Sequence, residues 1–177
     1  RQDRKAKARQ PISAKLVADL LQVSGATRVI CMDLHAAQIQ GFFNIPIDNF
    51  RSLPIIARYM KQKNLTDIVV VSPDHGGVAR ARSLADALVA PIAIIDKTRP
   101  EPNVAEVMNI IGNVRGKNCI LVDDMIDTGG SMSAAAYALK EAGAKDIYAC
   151  CTHPLLSGNA IKLLEEAPLV EVVCTDT

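Results

Sequence analysis

Apolar positions along the 177-residue chain recur with two different periods. Short runs rich in Val and Ile (TRVICM, DIVVVS, IAII, CILV, IYACC, LVEVV) alternate with longer segments in which apolar residues return every three or four positions. The first pattern predicts strands near 28–32, 68–72, 92–95, 119–122, 147–151 and 169–173. The second predicts helices over 12–23, 54–63, 78–89, 131–142 and 158–166. Alternation of this kind marks β-α-β units, whose strands run parallel because the crossover helix returns the chain to the same edge of the sheet. The expected fold class is α/β, a parallel sheet flanked by helices. Gly25 and Gly143 fall where helices need a left-handed C-terminal cap.

Periodicity breaks at QIQGFFNIPIDNF, residues 38–50, where Gly41 and Pro46 interrupt it and all three Phe residues (Phe42, Phe43, Phe50) gather. This is the expected domain boundary. The chain opens at Arg1 rather than Met, so it reads as part of a longer protein. Its first ten residues hold five bases (Arg1, Arg4, Lys5, Lys7, Arg9) against Asp3. That start is either an anion site or a solvated terminus.

Composition narrows the function classes. Hydrophobic content of 49% is ample for a core, and a net charge of +1 gives no global attraction to nucleic acid or to an anionic membrane. No apolar stretch approaches the roughly 20 residues that span a bilayer. Five cysteines, an odd number without C-x-x-C spacing, argue against disulfides and zinc and point to a reducing cytoplasm.

In an open parallel sheet, ligands bind beyond the carboxyl ends of the strands. The predicted strands deliver Asp33 and His35, then Asp74 and His75, then Lys97 and Arg99, then Asp123 and Asp124 to that edge. Together these describe an anionic substrate, a divalent cation and cationic groups that neutralise phosphate. In ILVDDMIDTGGS the turn Asp127-Thr128-Gly129-Gly130-Ser131 leads into a helix, so backbone N–H groups converge there on an anion, with the Thr128 and Ser131 hydroxyls beside them. Two carboxylates repel phosphate, but they accept hydrogen bonds from hydroxyls; a diol held near a phosphate is a ribose phosphate. No nucleotide-binding G-x-x-x-x-G-K-[ST] or G-x-G-x-x-G is present, since GNVRGKN at 112–118 has the wrong spacing. His75 and His153 adjoin turns and are expected to be structural.

ILVDDMIDTGGS resembles the phosphoribosyl pyrophosphate loop of the type I phosphoribosyltransferase fold. RQDRK, MDLHAAQIQGFF, VSPDHGGVARA, IIDKTRPEPNVAEV and THPLLSGNA, in that order, extend the resemblance to the ribose-phosphate diphosphokinase family. The resemblance implies transfer of the diphosphoryl group of ATP to the C1 hydroxyl of ribose 5-phosphate. It implies two similar α/β domains, with residues 1–46 the end of the first and 47–177 most of the second. By position, Arg1 and Gln2 match residues that contact ATP. His35 and Asp74 match those reaching Mg2+, with Mn2+ an alternative better suited to a nitrogen donor. Lys97 and Arg99 match the catalytic loop, and Asp123, Asp124 and Asp127 through Ser131 the ribose 5-phosphate site. Some members have Arg at Thr98, and many have Thr at Ser131. The family assembles into homo-oligomers, commonly hexamers. Two alternatives stand beside it: a phosphoribosyltransferase consuming the same product, and a non-catalytic regulatory relative.

Overall fold

Two units divide the chain, Arg1–Ser52 and Leu53–Thr177. The computed structural model describes residues 2–5, 7–98 and 107–177, with the backbone alone for Lys97, Thr98 and Val107. Arg1 and Arg99 lie outside the described residues.

The first unit holds α1 (Ser13–Val23), β1 (Val29–Met32), a 3-10 turn (Ala37–Phe42) and β2 (Ile47–Phe50). Gly25 closes α1 as expected: at φ 101° its N–H reaches Gln22 O at 3.0 Å, and Ala26 N–H reaches Leu21 O at 3.1 Å. β2 pairs in parallel with β1 from Val29↔Ile47 to Met32↔Phe50. The sequence reading missed β2 because Asp48 and Asn49 break its apolar run. Both polar side chains are used locally. Arg28 Nε donates to Asp48 Oδ2 at 2.7 Å, and Leu34 N–H donates to Asn49 Oδ1 at 3.1 Å.

The second unit runs α2 (Leu53–Gln62), β3 (Ile68–Ser72), α3 (Val78–Leu88), β4 (Ile92–Thr98), β5 (Val107–Ile111), β6 (Asn118–Ile126), α4 (Gly130–Glu141), β7 (Ile147–Pro154), α5 (Ala160–Glu166) and β8 (Glu171–Cys174). Its six strands lie in the order β5-β4-β3-β6-β7-β8, all parallel except β5, which returns antiparallel along β4. The sheet is therefore mostly parallel rather than wholly so. β5 escaped the sequence reading because VMNII is a short run whose strand form comes from pairing with β4.

Strand alternation sorts the apolar residues onto two faces. Val70, Ile120, Val122 and Cys150 pack with α2 and α3 through Ile56, Met60, Ala81 and Leu84. Val69, Val71, Leu121, Ala149 and Cys151 pack with α4 and α5 through Ala135, Leu139 and Leu164. Each such side chain, buried on a sheet covered on both sides, contributes about 1.5–3 kcal/mol, which is why these strands read as unbroken apolar runs. At the β8 edge, Tyr59 Oη donates to Glu171 Oε1 at 2.6 Å and Lys63 Nζ lies 2.5 Å from Oε2, tying α2 to β8.

Helix ends differ in how they close. Gly143 closes α4 at φ 87°, whereas α3 closes on Val89 at φ 54°, a β-branched residue in left-handed backbone that is 92% exposed. Because the side chain buries nothing, Val89→Gly is expected to stabilise the protein by about 1 kcal/mol. A rise in melting temperature of about 3 °C by calorimetry would report it.

The chain leaves β3 outward to β4 and β5, then crosses back to β6 on the other side of β3. That reversal opens a crevice between the carboxyl ends of β3 and β6.

Candidate functional site

Asp123 and Asp124 do not follow the strand, as the apolar run predicts, but lie within it: β6 continues to Ile126. The extension comes from pairing with β7, which runs from Cys119↔Ile147 through Met125↔His153 to Ile126↔Pro154. The Asp123 side chain is 22% exposed and that of Asp124 3%. Asp123 is thus the more open of the two carboxylates, and Asp124 is nearly fully buried.

Two carboxylates in a partly buried strand need a cation, and α3 provides one. Arg80 Nη1 donates to Asp123 Oδ1 at 3.3 Å and stands 3.9 Å from Asp124 Oδ1. The sequence reading missed Arg80. A signal was present, since a cation in the first turn of a helix opposes the dipole and needs an anionic partner. Asp124 N–H also donates to Asp123 Oδ1 at 2.8 Å. Burial, and then a hydrogen bond with Asp124, push the Asp123 carboxyl up to about 6, with Arg80 acting in the opposite direction.

Beyond Ile126, residues 127–129 turn into α4. Asp127, Thr128, Gly130 and Ser131 are exposed and Gly129 is buried. Gly129 adopts φ 77°, ψ −13° immediately before α4, and its carbonyl accepts the helix bond from Ser133 N–H at 2.9 Å. A left-handed residue next to helical ones turns successive N–H groups toward a common point, and the first N–H groups of a helix have no intrahelical acceptor. The loop is pinned from behind: Ser157 N–H donates to Asp127 O at 2.9 Å, and Leu156 N–H to Ile126 O at 3.1 Å. A Cβ on Gly129 would lie 3.2 Å from Ala160 O and 3.3 Å from Ala160 Cα, both backbone atoms. Gly129→Ala is therefore expected to destabilise the protein by about 2 kcal/mol and to weaken phosphate binding, read by thermal melting and calorimetry. At Gly130 the nearest atom to a Cβ would be Thr128 Oγ1 at 3.9 Å, so Gly130→Ala should melt near the parent.

Across the crevice, Asp74 is exposed at the end of β3. Its Oδ1 accepts Gly77 N–H at 2.9 Å, and Ser72 Oγ donates to its carbonyl at 2.6 Å. Among the described residues Oδ2 makes no hydrogen bond, so this oxygen could contribute one ligand to a hard cation. No group of three or more His, Cys, Asp or Glu side chains gathers as a metal cage among the described residues. His35 is exposed, in the turn after β1 of the first unit. Its neighbour Asp33 is committed to Ser52, whose N–H and Oγ donate to Asp33 Oδ2 at 3.0 and 2.6 Å. Gln2 is exposed near the start of the same unit. Lys97 occupies the penultimate position of β4, its backbone opposite Met108. His75, expected to be structural, has a partner in β4: Nε2 lies 2.8 Å from Asp96 Oδ1.

Nothing in this arrangement calls for a cysteine nucleophile. Burial pushes the thiols of Cys119, Cys150 and Cys151 up to about 12, leaving them protonated near neutrality. Two concavities lie elsewhere, one of about 360 Å³ lined by Leu156, Leu164 and Val172, the other of about 640 Å³ between β5 and α4. The first is mostly apolar, and neither includes the Asp pair or the loop after β6. An open rim of carboxylates, hydroxyls and amides matches a sugar phosphate better than an apolar cleft does.

Residues 48–176 match the phosphoribosyl transferase domain family. The ribose-phosphate pyrophosphokinases of Bacillus caldolyticus and Bacillus subtilis (strain 168) are 65% and 63% identical over all 177 residues, and the chain spans 56% of the length of each. Among solved structures, phosphoribosylpyrophosphate synthetase from Mycobacterium smegmatis matches 99% of this chain and 57% of its own, at a TM-score of 0.92 and 46% identity. Purine phosphoribosyltransferase from Pyrococcus horikoshii Ot3 matches 71% of this chain and 81% of its own, at 0.52 and 21% identity, and shares the fold alone.

Proposed function

The chain belongs to the phosphoribosyl transferase domain family, and on that premise we propose that the full-length protein is a ribose-phosphate diphosphokinase, forming 5-phosphoribosyl 1-diphosphate and AMP from ribose 5-phosphate and ATP. The observation that carries this reading is the continuous unit from β6 into α4, with a partly exposed Asp123 followed by a turn of exposed residues about the left-handed Gly129. Ring hydroxyls donate to Asp123, whose side chain keeps some exposure; Asp124, nearly fully buried, is given to the same sugar by resemblance alone, and the 5-phosphate accepts from the amides and hydroxyls of Asp127 through Ser131.

Arg80 holds the carboxylates against their mutual repulsion, so the diol meets acceptors already in place. Lys97 and Arg99 neutralise charge on the transferring group, a task that asks for position and charge rather than a covalent nucleophile. Arg1 and Gln2 contact ATP. By resemblance, Asp74 and His35 would each serve to hold Mg2+, or Mn2+, which would supply charge neutralisation for the ATP phosphates. The protein works in the cytoplasm as a homo-oligomer, a hexamer by resemblance. No helix among the described residues is long and apolar enough to cross a membrane.

The test is AMP release from ATP and ribose 5-phosphate by the full-length protein. Release that depends on both substrates supports the assignment. Absence of release, with consumption of 5-phosphoribosyl 1-diphosphate and a base instead, would replace it by a phosphoribosyltransferase.

A further inference from the structure

β3 stops at Ser72, which pairs with Ile94, whereas β4 runs on to Thr98. Residues 95–98 therefore project past β3, held on one flank by β5 through Ile95↔Ile110, Asp96↔Asn109 and Lys97↔Met108. On the flank that β3 has vacated, the loop after β3 reaches across, and His75 Nε2 lies 2.8 Å from Asp96 Oδ1. The loop itself is tightly built. A Cβ on Gly77 would stand 2.8 Å from Ser72 Oγ, and Asp74 Oδ1 takes the Gly77 N–H. A rigid turn thus presents the imidazole to a projecting strand end.

Two features argue that this contact sets geometry rather than stability. The His75 side chain is 65% exposed and that of Asp96 34%. Exposed pairs of this kind contribute about 0–1 kcal/mol to folding. Its position is more telling: Asp74 immediately precedes His75, and Lys97 immediately follows Asp96. One hydrogen bond spans the interval between the residue assigned to the cation and the residue assigned to the transferring group, each a single peptide unit away. A strand paired on one side only is the segment most open to local fluctuation, and a misplacement of about 1 Å at a reacting centre costs on the order of 100-fold in rate.

We propose that His75 is a positioning residue: its hydrogen bond to Asp96 fixes the spacing between the Asp74 loop and the end of β4 that carries Lys97. The inference rests on the diphosphokinase reading and adds a residue to it. His75 touches no substrate in this role; it acts through Asp96.

Steady-state kinetics of the full-length protein, joined to hydrogen–deuterium exchange, test it. His75→Ala and Asp96→Ala should each lower kcat about tenfold while leaving KM for ribose 5-phosphate within about twofold and the melting temperature near the parent's. The double variant should lose no more than the more severe of the two single ones, since either change already removes the bond between them. His75→Gln, which keeps a donor of comparable reach, should recover most of the rate. Exchange of the amides of 95–98 should quicken in His75→Ala and not in His75→Gln. Parental kcat in His75→Ala, a double variant whose loss is the product of the single losses, or unaltered exchange at 95–98 would each overturn the proposal. Were the parent to transfer no diphosphoryl group, the functional reading would fall, and the exchange result alone would still decide whether His75 holds the strand end.

Discussion

Asp123→Asn in the full-length protein is expected to bind ribose 5-phosphate about 10- to 100-fold more weakly while melting at a higher temperature near neutral pH. The loss follows from removing a charged acceptor, since a hydrogen bond to a charged group contributes about 1.5–3 kcal/mol. The gain in stability follows from the carboxyl's surroundings. Burial and the neighbouring Asp124 raise its folded value to about 6 from an ordinary value of 3.8. A raised acid favours folding most while it is protonated: that contribution is complete below about 3.8 and disappears as pH climbs through about 6. At pH 7.5 the parent carries the full penalty of an enclosed charge. Asn cannot ionise, keeps the size of the side chain and can still accept from Arg80, so a net gain of about 1 kcal/mol is expected. Calorimetric titration gives the affinity. Melting curves from pH 4 to 8 give the rest, with parent and variant diverging across the window between about 4 and 6. A variant that binds normally would remove Asp123 from the sugar site, and one that melts lower at every pH would contradict the assigned cost of its charge.

Lys97→Ala should leave KM for ribose 5-phosphate within a few-fold of the parent and reduce kcat by about 100- to 1000-fold. Removing one preorganised group that meets charge developing in the transition state typically has an effect of this size. The split between the two constants is the informative part, because an interaction made only in the transition state acts on kcat and not on ground-state affinity. Lys97 lies next to last in β4, where its backbone pairs with Met108 of β5. Single-turnover measurement of AMP formation checks it. Parental turnover would remove Lys97 from the chemistry; an equal loss in affinity and no loss in kcat would make it a ground-state contact.

Asp123 and Asp124 stand out in the sequence because adjacent carboxylates directly after a run of Cys-Ile-Leu-Val are anomalous for a buried strand. The apolar pattern alone puts the strand end at Val122, because charged residues after an apolar run mark a stop. β7 continues alongside to Pro154, and backbone pairing carries β6 through both acids to Ile126. Arg80 went unnoticed because its partners lie 43 and 44 residues away, a separation that no local pattern registers. The His75–Asp96 contact, 21 residues apart, was invisible for the same reason.

What the chain's order of residues determined by itself is everything set within a few residues: the alternation of strand and helix, the glycine caps of α1 and α4, the two-sided burial implied by Val69-Val70-Val71, and the turn after Ile126. These depend on steric limits of the backbone and on side-chain period, both local properties. Only the tertiary structure decided that β5 runs antiparallel, that β2 joins β1, that Asp123 keeps some exposure while Asp124 is buried, and that Arg80 and His75 find their carboxylates. Those outcomes come from hydrogen bonds and desolvation between segments distant in sequence, whose energies exist only once the sheet has brought the segments together.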